Sequence, residues 1–336
     1  MPLKVCIVGT GNMGAHHARA WAASSDAKVV AICDTDQNRA AELARELGAT
    51  FSADYRQVIQ RGQVDVVSIC LPTFLHSEVA CFAARQGCHV ITEKPLALTL
   101  EQGQAMIDAA QRHHVKLAVS LQYRDGWPAR CREMIRRGDF GGPVILRFAD
   151  VREVRPKLAM HRRSMNGGPI IDMACHYFDL MRFLTGGEPR RIFARGHIYG
   201  RGKPRLKEVD DLARDAAVIT IEYEGGHILD LVVNWGMPEG FPGYTEEILM
   251  GPALLARPNG GRLLLRYGDH EEFWNVEMPK FPPQQRIADL IAAIREERAP
   301  EITGEDGLIA LRVSLAAIQS IETGQVVEWC DEGRKR

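Results

Sequence analysis

No stretch of this 336-residue chain approaches the roughly 18 uninterrupted apolar residues of a membrane-crossing helix, because Asp34, Arg85, Asp108 and Asp230 break its most hydrophobic segments. Nor is there an excess of charge: 42 Lys and Arg meet 43 Asp and Glu, a formal net charge of -1. Without an overall basic field, neither nucleic acid nor an anionic membrane surface is expected as a partner. The eight cysteines form no CxxC pair and no regular spacing, and several sit inside strand-like apolar runs. That pattern reads as reduced thiols packed as small hydrophobes, not a disulfide or metal framework. No internal repeat or low-complexity stretch occurs. Residues 1–9 lack the basic start, apolar run and small-residue cleavage site of a secretory signal, so a cytoplasmic location is expected.

What is present is ordinary for a soluble globular protein: 46% hydrophobic and 25% charged residues. At about 150 residues per domain, the length suggests two domains. Over the first third, apolar runs at 5–8, 29–33, 64–70, 90–92 and 117–120 alternate with helix-period segments at 13–23, 38–47, 77–86 and 100–113. Strands this uniformly apolar are buried on both faces, which predicts a doubly wound parallel sheet with a crevice at the strands' carboxyl ends. After Tyr123 the pattern changes. Longer, partly alternating strands at 144–154, 191–198, 216–223, 227–235, 246–250 and 262–266 predict a large, mostly antiparallel open sheet. One helix is expected over 169–184, opened by Pro169 after Gly167-Gly168 and closed by Gly186-Gly187, and two more over 284–297 and 307–322. The fold class is therefore α/β: a Rossmann-type domain over 1–122, then an α+β domain over 123–336 whose closing helices are candidates to pack back on the first.

Gly9-Thr10-Gly11-Asn12-Met13-Gly14 is a GxGxxG directly after the first strand and at the start of a helix. The first glycine permits the tight turn, the second a close approach of backbone to a pyrophosphate, and the third close packing of helix on strand. Asp34 ends the second strand twenty residues beyond Gly14, positioned to accept hydrogen bonds from ribose hydroxyls and to repel a 2′-phosphate. NAD is thus expected over NADP, with nearby Arg39 softening the exclusion.

This loop with His17, then Leu71-Pro72-Thr73-Phe74-Leu75-His76, Thr92-Glu93-Lys94-Pro95, Gly167-Gly168-Pro169-Ile170-Ile171-Asp172 with His176 and Asp179, Asp210-Asp211, and the closing stretch from Gly304 through Ser320 together resemble the glucose–fructose oxidoreductase/inositol dehydrogenase (Gfo/Idh/MocA) family over nearly the whole chain. The resemblance implies an NAD-dependent dehydrogenase acting on a secondary alcohol of a sugar or cyclic polyol, with Lys94, Asp172 and His176 as the catalytic set. Lys94, at a strand's carboxyl end, can stabilise a developing alkoxide. Asp172 and His176, four apart on the predicted helix, share a face, so that the imidazole can accept a proton while the carboxylate orients it. Which of Lys94 and His176 is the final base stays open. Leu71, Pro72, Thr73, His76, Glu93 and Gln122 join the glycine loop and Asp34 as implied cofactor contacts. Arg124, Arg163 and Trp235 join the catalytic set as implied substrate contacts, Trp235 as a stacking face. With no HExxH and no third ligand beside Asp172 and His176 at a recognisable spacing, no metal is expected. Two other functions fit the same scaffold: an NAD-binding sensor or regulator without turnover, and a glycosidase that oxidises, eliminates and re-reduces with NAD. The resemblance also implies a homodimer or homotetramer built on the second domain's sheet.

Overall fold

The computed structural model describes residues 1–259, 261–276 and 283–330. Their contacts fall into two compact units. The first gathers Met1–Gln122 with the described part of Pro279–Ile309; the second gathers the described residues of Tyr123–Met278 and Ala310–Arg336.

The first unit runs β1 (Leu3–Val8), α1 (Asn12–Ala22), β2 (Ala27–Cys33), α2 (Gln37–Leu47), β3 (Thr50–Ser52), α3 (Tyr55–Val58), β4 (Val66–Ile69), α4 (His76–Arg85), β5 (His89–Thr92), α5 (Leu100–Arg112) and β6 (Leu117–Val119). All six strands pair in parallel, in the order β3-β2-β1-β4-β5-β6. Val5, Ile7, Val66 and Ile91 are fully buried, as central strands covered on both faces require. The order reverses beside β1, so the crevice lies beyond the carboxyl ends of β1 and β4. Backbone hydrogen bonds continue past those ends, from Cys70 N–H to Val8 O and from Glu93 N–H to Ile69 O. They bring the residues after β1, β4 and β5 into register along one edge. Helix α9 (Gln284–Arg295), late in the chain, packs Ile287, Leu290 and Ile291 into the same core as Ala18 and Trp21 of α1.

The second unit contains α6 (Trp127–Arg137), β7 (Ile145–Glu153), α7 (Pro169–Asp172), α8 (Cys175–Thr185), β8 (Pro189–His197), β9 (Ala216–Tyr223), β10 (Ile228–Met237), β11 (Tyr244–Met250), β12 (Leu255–Asn259), β13 (Arg262–Arg266) and β14 (Glu271–Asn275). Helix α10 (Gly304–Thr323) begins in the first unit's segment and continues into the second, and β15 (Val327–Glu328) closes the sheet edge. The nine strands lie in the order β14-β13-β12-β11-β7-β10-β9-β8-β15, antiparallel except for the parallel pair β7–β10. Alternation is clear: Leu146, Phe148, Ile219, Ile221, Leu229 and Leu231 are buried on one face, whereas Ile145, Phe193, Val218 and Tyr244 are exposed on the other.

One sequence expectation is corrected. The single helix predicted over 169–184 is two, separated at Met173-Ala174. Met173 and Ala174 both donate to the Pro169 carbonyl, and the His176 amide donates to Met173 instead of Asp172. The i, i+4 relation of one continuous helix therefore does not describe Asp172 and His176.

Candidate functional site

The cofactor half is built at the carboxyl edge of the first sheet. Gly9 has φ +96, and a Cβ there would stand 2.5 Å from the Cys70 carbonyl oxygen; a Cβ on Gly14 would stand 1.9 Å from the Gly9 oxygen. Both glycines are demanded by the protein itself. Gly11 is different: a Cβ there would meet no protein atom within 4 Å, so nothing in the protein's own packing requires a glycine. Gly11 also caps α1 without a side-chain hydrogen bond, which leaves the first-turn N–H groups of Asn12 and Met13 to an anion. A loop whose outer glycine serves no internal contact fits a close-lying pyrophosphate.

Asp34 ends β2, with one carboxylate oxygen accepting from both the N–H and the hydroxyl of Thr10, each at 2.6 Å, and the other accepting from Asp36 N–H at 2.9 Å. Arg39 Nη2 lies 3.3 Å from each oxygen, and its Nε donates to the Thr10 hydroxyl at 3.1 Å. Burial opposes the charge, but these hydrogen bonds and the guanidinium outweigh it and hold the Asp34 carboxyl below the usual range. It is an ionised acceptor, as ribose recognition requires.

Leu71 and Pro72 lead from β4 into a short helical turn at Thr73–Leu75, with Thr73 buried. His76 opens α4. It is fully buried, and its two ring nitrogens lie 2.9 Å from the carbonyls of Pro95 and Leu71. Burial keeps its pKa below the usual value, and a neutral ring donates one N–H, so it hydrogen-bonds to one of these carbonyls and ties together the loops after β4 and β5. Lys94 follows β5, half-buried, with a cis peptide to Pro95. Its amide N–H lies 3.3 Å from one oxygen of Glu93, and the Gln122 carboxamide reaches the other oxygen of Glu93 at 3.4 Å.

In the second unit, Asp172 ends α7 and His176 lies in the first turn of α8, both nearly fully buried. Asn166 donates to Asp172 at 3.3 Å. The His176 imidazole is stacked on Tyr123, with ring centroids 4.3 Å apart and planes 12° apart, and Tyr123 meets Tyr177 edge-on at 5.2 Å. Neither Asn166 nor Tyr123 was singled out from sequence, although Tyr123 sits between two residues that were. Arg124 is clamped: Nε donates to Asp179 at 2.8 Å and Nη2 to its other oxygen, so two of its donors are spent inside the protein. Arg124, expected from sequence as a substrate contact, is thus anchored in a bidentate ion pair with Asp179. Trp235 is 4% exposed and donates its indole N–H to Asp150 at 2.9 Å, which leaves only its ring for contact. Arg163 is exposed, on a loop pinned by Arg162 to Asp210 and Asp211. Among the described residues no group of three or more His, Cys, Asp or Glu is placed to hold a metal, and no helix is long and apolar enough to cross a membrane.

A glycine loop, an ionised carboxylate at the end of β2 and a lysine at the end of β5, followed by an open nine-stranded sheet, define a two-part NAD-dependent oxidoreductase. A family model described as an oxidoreductase family with an NAD-binding Rossmann fold matches residues 3–121, and one described as the GFO/IDH/MocA C-terminal domain matches 129–249. The chain belongs to the Gfo/Idh/MocA oxidoreductase family. It is 26% identical to a myo-inositol 2-dehydrogenase of Thermotoga maritima, over 97% of this chain and 98% of that one. It is likewise 26% identical to an NAD(+)-dependent scyllo-inositol 2-dehydrogenase of Bacillus subtilis, over 97% and 96%. Among solved structures, a levoglucosan dehydrogenase in complex with NADH and levoglucosan superposes with a TM-score of 0.86 at 24% identity, covering 98% of this chain and 99% of that one, a likeness of fold.

Proposed function

We propose that the protein oxidises a secondary alcohol of a sugar or cyclic polyol with NAD. The observation that carries this reading is the end-to-end match to inositol dehydrogenases, combined with an NAD loop whose Asp34 is held as an ionised ribose acceptor. NAD, bound at that loop, supplies the hydride acceptor. The chain's own residues do the rest. Lys94 presents a cation to the substrate oxygen as its proton leaves, and His176, held by its stack on Tyr123, is available to take or relay that proton. Asp172, fixed by Asn166, orients the hydroxyl. Glu93 and Gln122 line the cofactor, as do Leu71, Pro72 and Thr73. Arg163 and the ring of Trp235 contribute to substrate recognition. The location is cytoplasmic, in keeping with eight free cysteines, among them Cys6 and Cys33 with sulfurs 3.8 Å apart. The assembly is a homodimer or homotetramer on the outer face of the second sheet, where Phe193, Val218 and Tyr244 are exposed. Light scattering on the purified protein tests it, and a monomer would reject it.

The deciding experiment follows absorbance of NADH with NAD and a panel of inositols, pyranoses, glycosides and sugar acids, for the wild type and Lys94→Ala. Growth of NADH with one cyclic polyol, lost in the variant, is the expected result. Sugar release without net NADH would instead favour the glycosidase reading.

A further inference from the structure

Beneath the glycine loop runs a chain of polar groups whose central member, His17, none of the steps above uses. His17, on α1 and fully buried, places Nδ1 2.8 Å from the hydroxyl of Ser68 on β4 and Nε2 2.9 Å from the carboxylate of Glu93 after β5. Glu93, 6% exposed, passes from His17 to the Gln122 carboxamide and to the Lys94 amide. Ser120 and Cys70, the latter just after β4, lie beside Glu93 and His17 respectively. The helix that offers its first turn to the cofactor phosphates therefore also carries, one turn further on, the group that grips the residue before Lys94.

The charge states follow from those neighbours. Burial lowers the His17 pKa, but Cys70 and Glu93 beside it more than offset this and raise it to about 10. Burial raises that of Glu93, yet His17 and the Lys94 ammonium outweigh it and keep the carboxyl below its usual range. A buried ion pair is a costly way to fill a core, since apolar side chains of similar volume are often as stabilising or more so. Its presence beside the lysine points to a task.

We propose that His17 is a positioning residue, clamping the Glu93 carboxylate through the Ser68–His17–Glu93 chain and thereby fixing Lys94 for its part in the reaction. The proposal rests on the reading of Lys94 as a residue that meets the substrate oxygen.

Two measurements test it. The first is the ¹⁵N imidazole spectrum of histidine-labelled full-length protein at about pH 8.5, two units above the ordinary histidine value. One protonated ring is expected in the wild type, absent in His17→Gln and lost or shifted toward neutral titration in Glu93→Gln. The second is turnover. His17→Gln keeps a hydrogen-bonding side chain but no charge, and kcat is expected to fall about 10–100-fold while NAD binding, followed by fluorescence, is unchanged. Loss of the imidazolium leaves the Glu93 carboxylate unneutralised beside Lys94, which then holds its proton to higher pH, so the alkaline limb of the kcat profile moves to higher pH. Glu93→Gln removes that carboxylate and moves the limb the opposite way, to lower pH, which covers the case that His17→Gln does not fold. Wholly neutral imidazoles in the wild-type spectrum, or a wild-type kcat and pH profile in His17→Gln, would overturn the proposal. Turnover by Lys94→Ala at the wild-type rate would overturn the Lys94 reading and this use of His17 with it. The spectrum then still reports whether the buried pair exists, so the two failures are told apart.

Discussion

Asp179→Ala separates the two roles open to Arg124. Asp179 is 1% exposed and the Arg124 side chain 12%, and the pair is joined by two hydrogen bonds with the fork aligned on the carboxylate. Removing the carboxylate strands a guanidinium in a water-poor site, a loss of about 3–5 kcal/mol where one partner of a buried pair is deleted. At roughly 2–4 °C per kcal/mol for a unit of this size, the unfolding midpoint of Asp179→Ala should fall by about 6–20 °C. Arg124→Ala should cost less than Asp179→Ala, because a lone carboxylate at Asp179 can take up a proton. It still loses the guanidinium that lies 5.5 Å from the Phe183 ring centroid. The double variant should cost less than the sum, with a coupling of at least about 1.5 kcal/mol. Differential scanning calorimetry on the four proteins of the cycle measures this, with substrate KM determined in parallel. A midpoint shift of only about 2 °C for Asp179→Ala, together with a substrate KM raised in Arg124→Ala alone, would refute the clamp and return Arg124 to the substrate.

Asp34→Ala removes a charged acceptor worth about 1.5–3 kcal/mol per ribose hydroxyl, so kcat/KM with NAD should fall about 10–100-fold. Arg39 remains to meet a 2′-phosphate, and the NADP:NAD ratio of kcat/KM should rise correspondingly; an unchanged KM for NAD would reject the ribose role. Glu247 on β11, across from Phe148, is partly buried, and burial pushes its carboxyl up to about 7. Its folded value lies above the unfolded ~4.3, so its contribution is fully present below about pH 4.3 and is lost as pH rises through about 7. The loss is about 3–4 kcal/mol. Glu247→Gln should therefore unfold at a higher temperature than wild type at pH 8 and at nearly the same temperature at pH 4, as thermal melts across that range will show.

The parallel sheet was legible because each central strand is buried on both faces and is written as an unbroken run of Val, Ile, Leu and Cys, as in 5–8 and 90–92. Short edge strands carry no such run. Thr50–Ser52 and Val327–Glu328 are held by pairing with β2 and β8 and were not anticipated. Nor was α6, whose sequence WPARCREMIRR follows a glycine and buries little more than Pro128, Cys131 and Met134. The break between α7 and α8 left no local sign, since neither Gly nor Pro stands at Met173-Ala174; it is set by which carbonyls the amides reach. His76 shows the same limit for function. A histidine at the start of a helix beside a crevice reads alike whether its nitrogens face a ligand or two backbone carbonyls, and only the fold decides.

The residues that pattern reading singled out and the pairings it did not foresee differ in kind. Gly9, Gly14 and Asp34 announce themselves because backbone geometry and strand ends impose a fixed spacing along the chain. His17–Glu93 and Arg124–Asp179 are separated by 76 and 55 residues, and no periodicity links their members. Yet each pair stands next to a residue that pattern reading did identify, Glu93 beside Lys94 and Asp179 one turn beyond His176. In both units a residue proposed for the chemistry, Lys94 or His176, is thus neighboured by a buried charge neutralised by a partner from elsewhere in the fold. Such a pair resists displacement, because moving either member exposes an unpaired charge in a poorly solvated site. Rigid placement of the reacting groups is what hydride and proton transfer demand, and on the proposed reading each pair supplies it within its own unit.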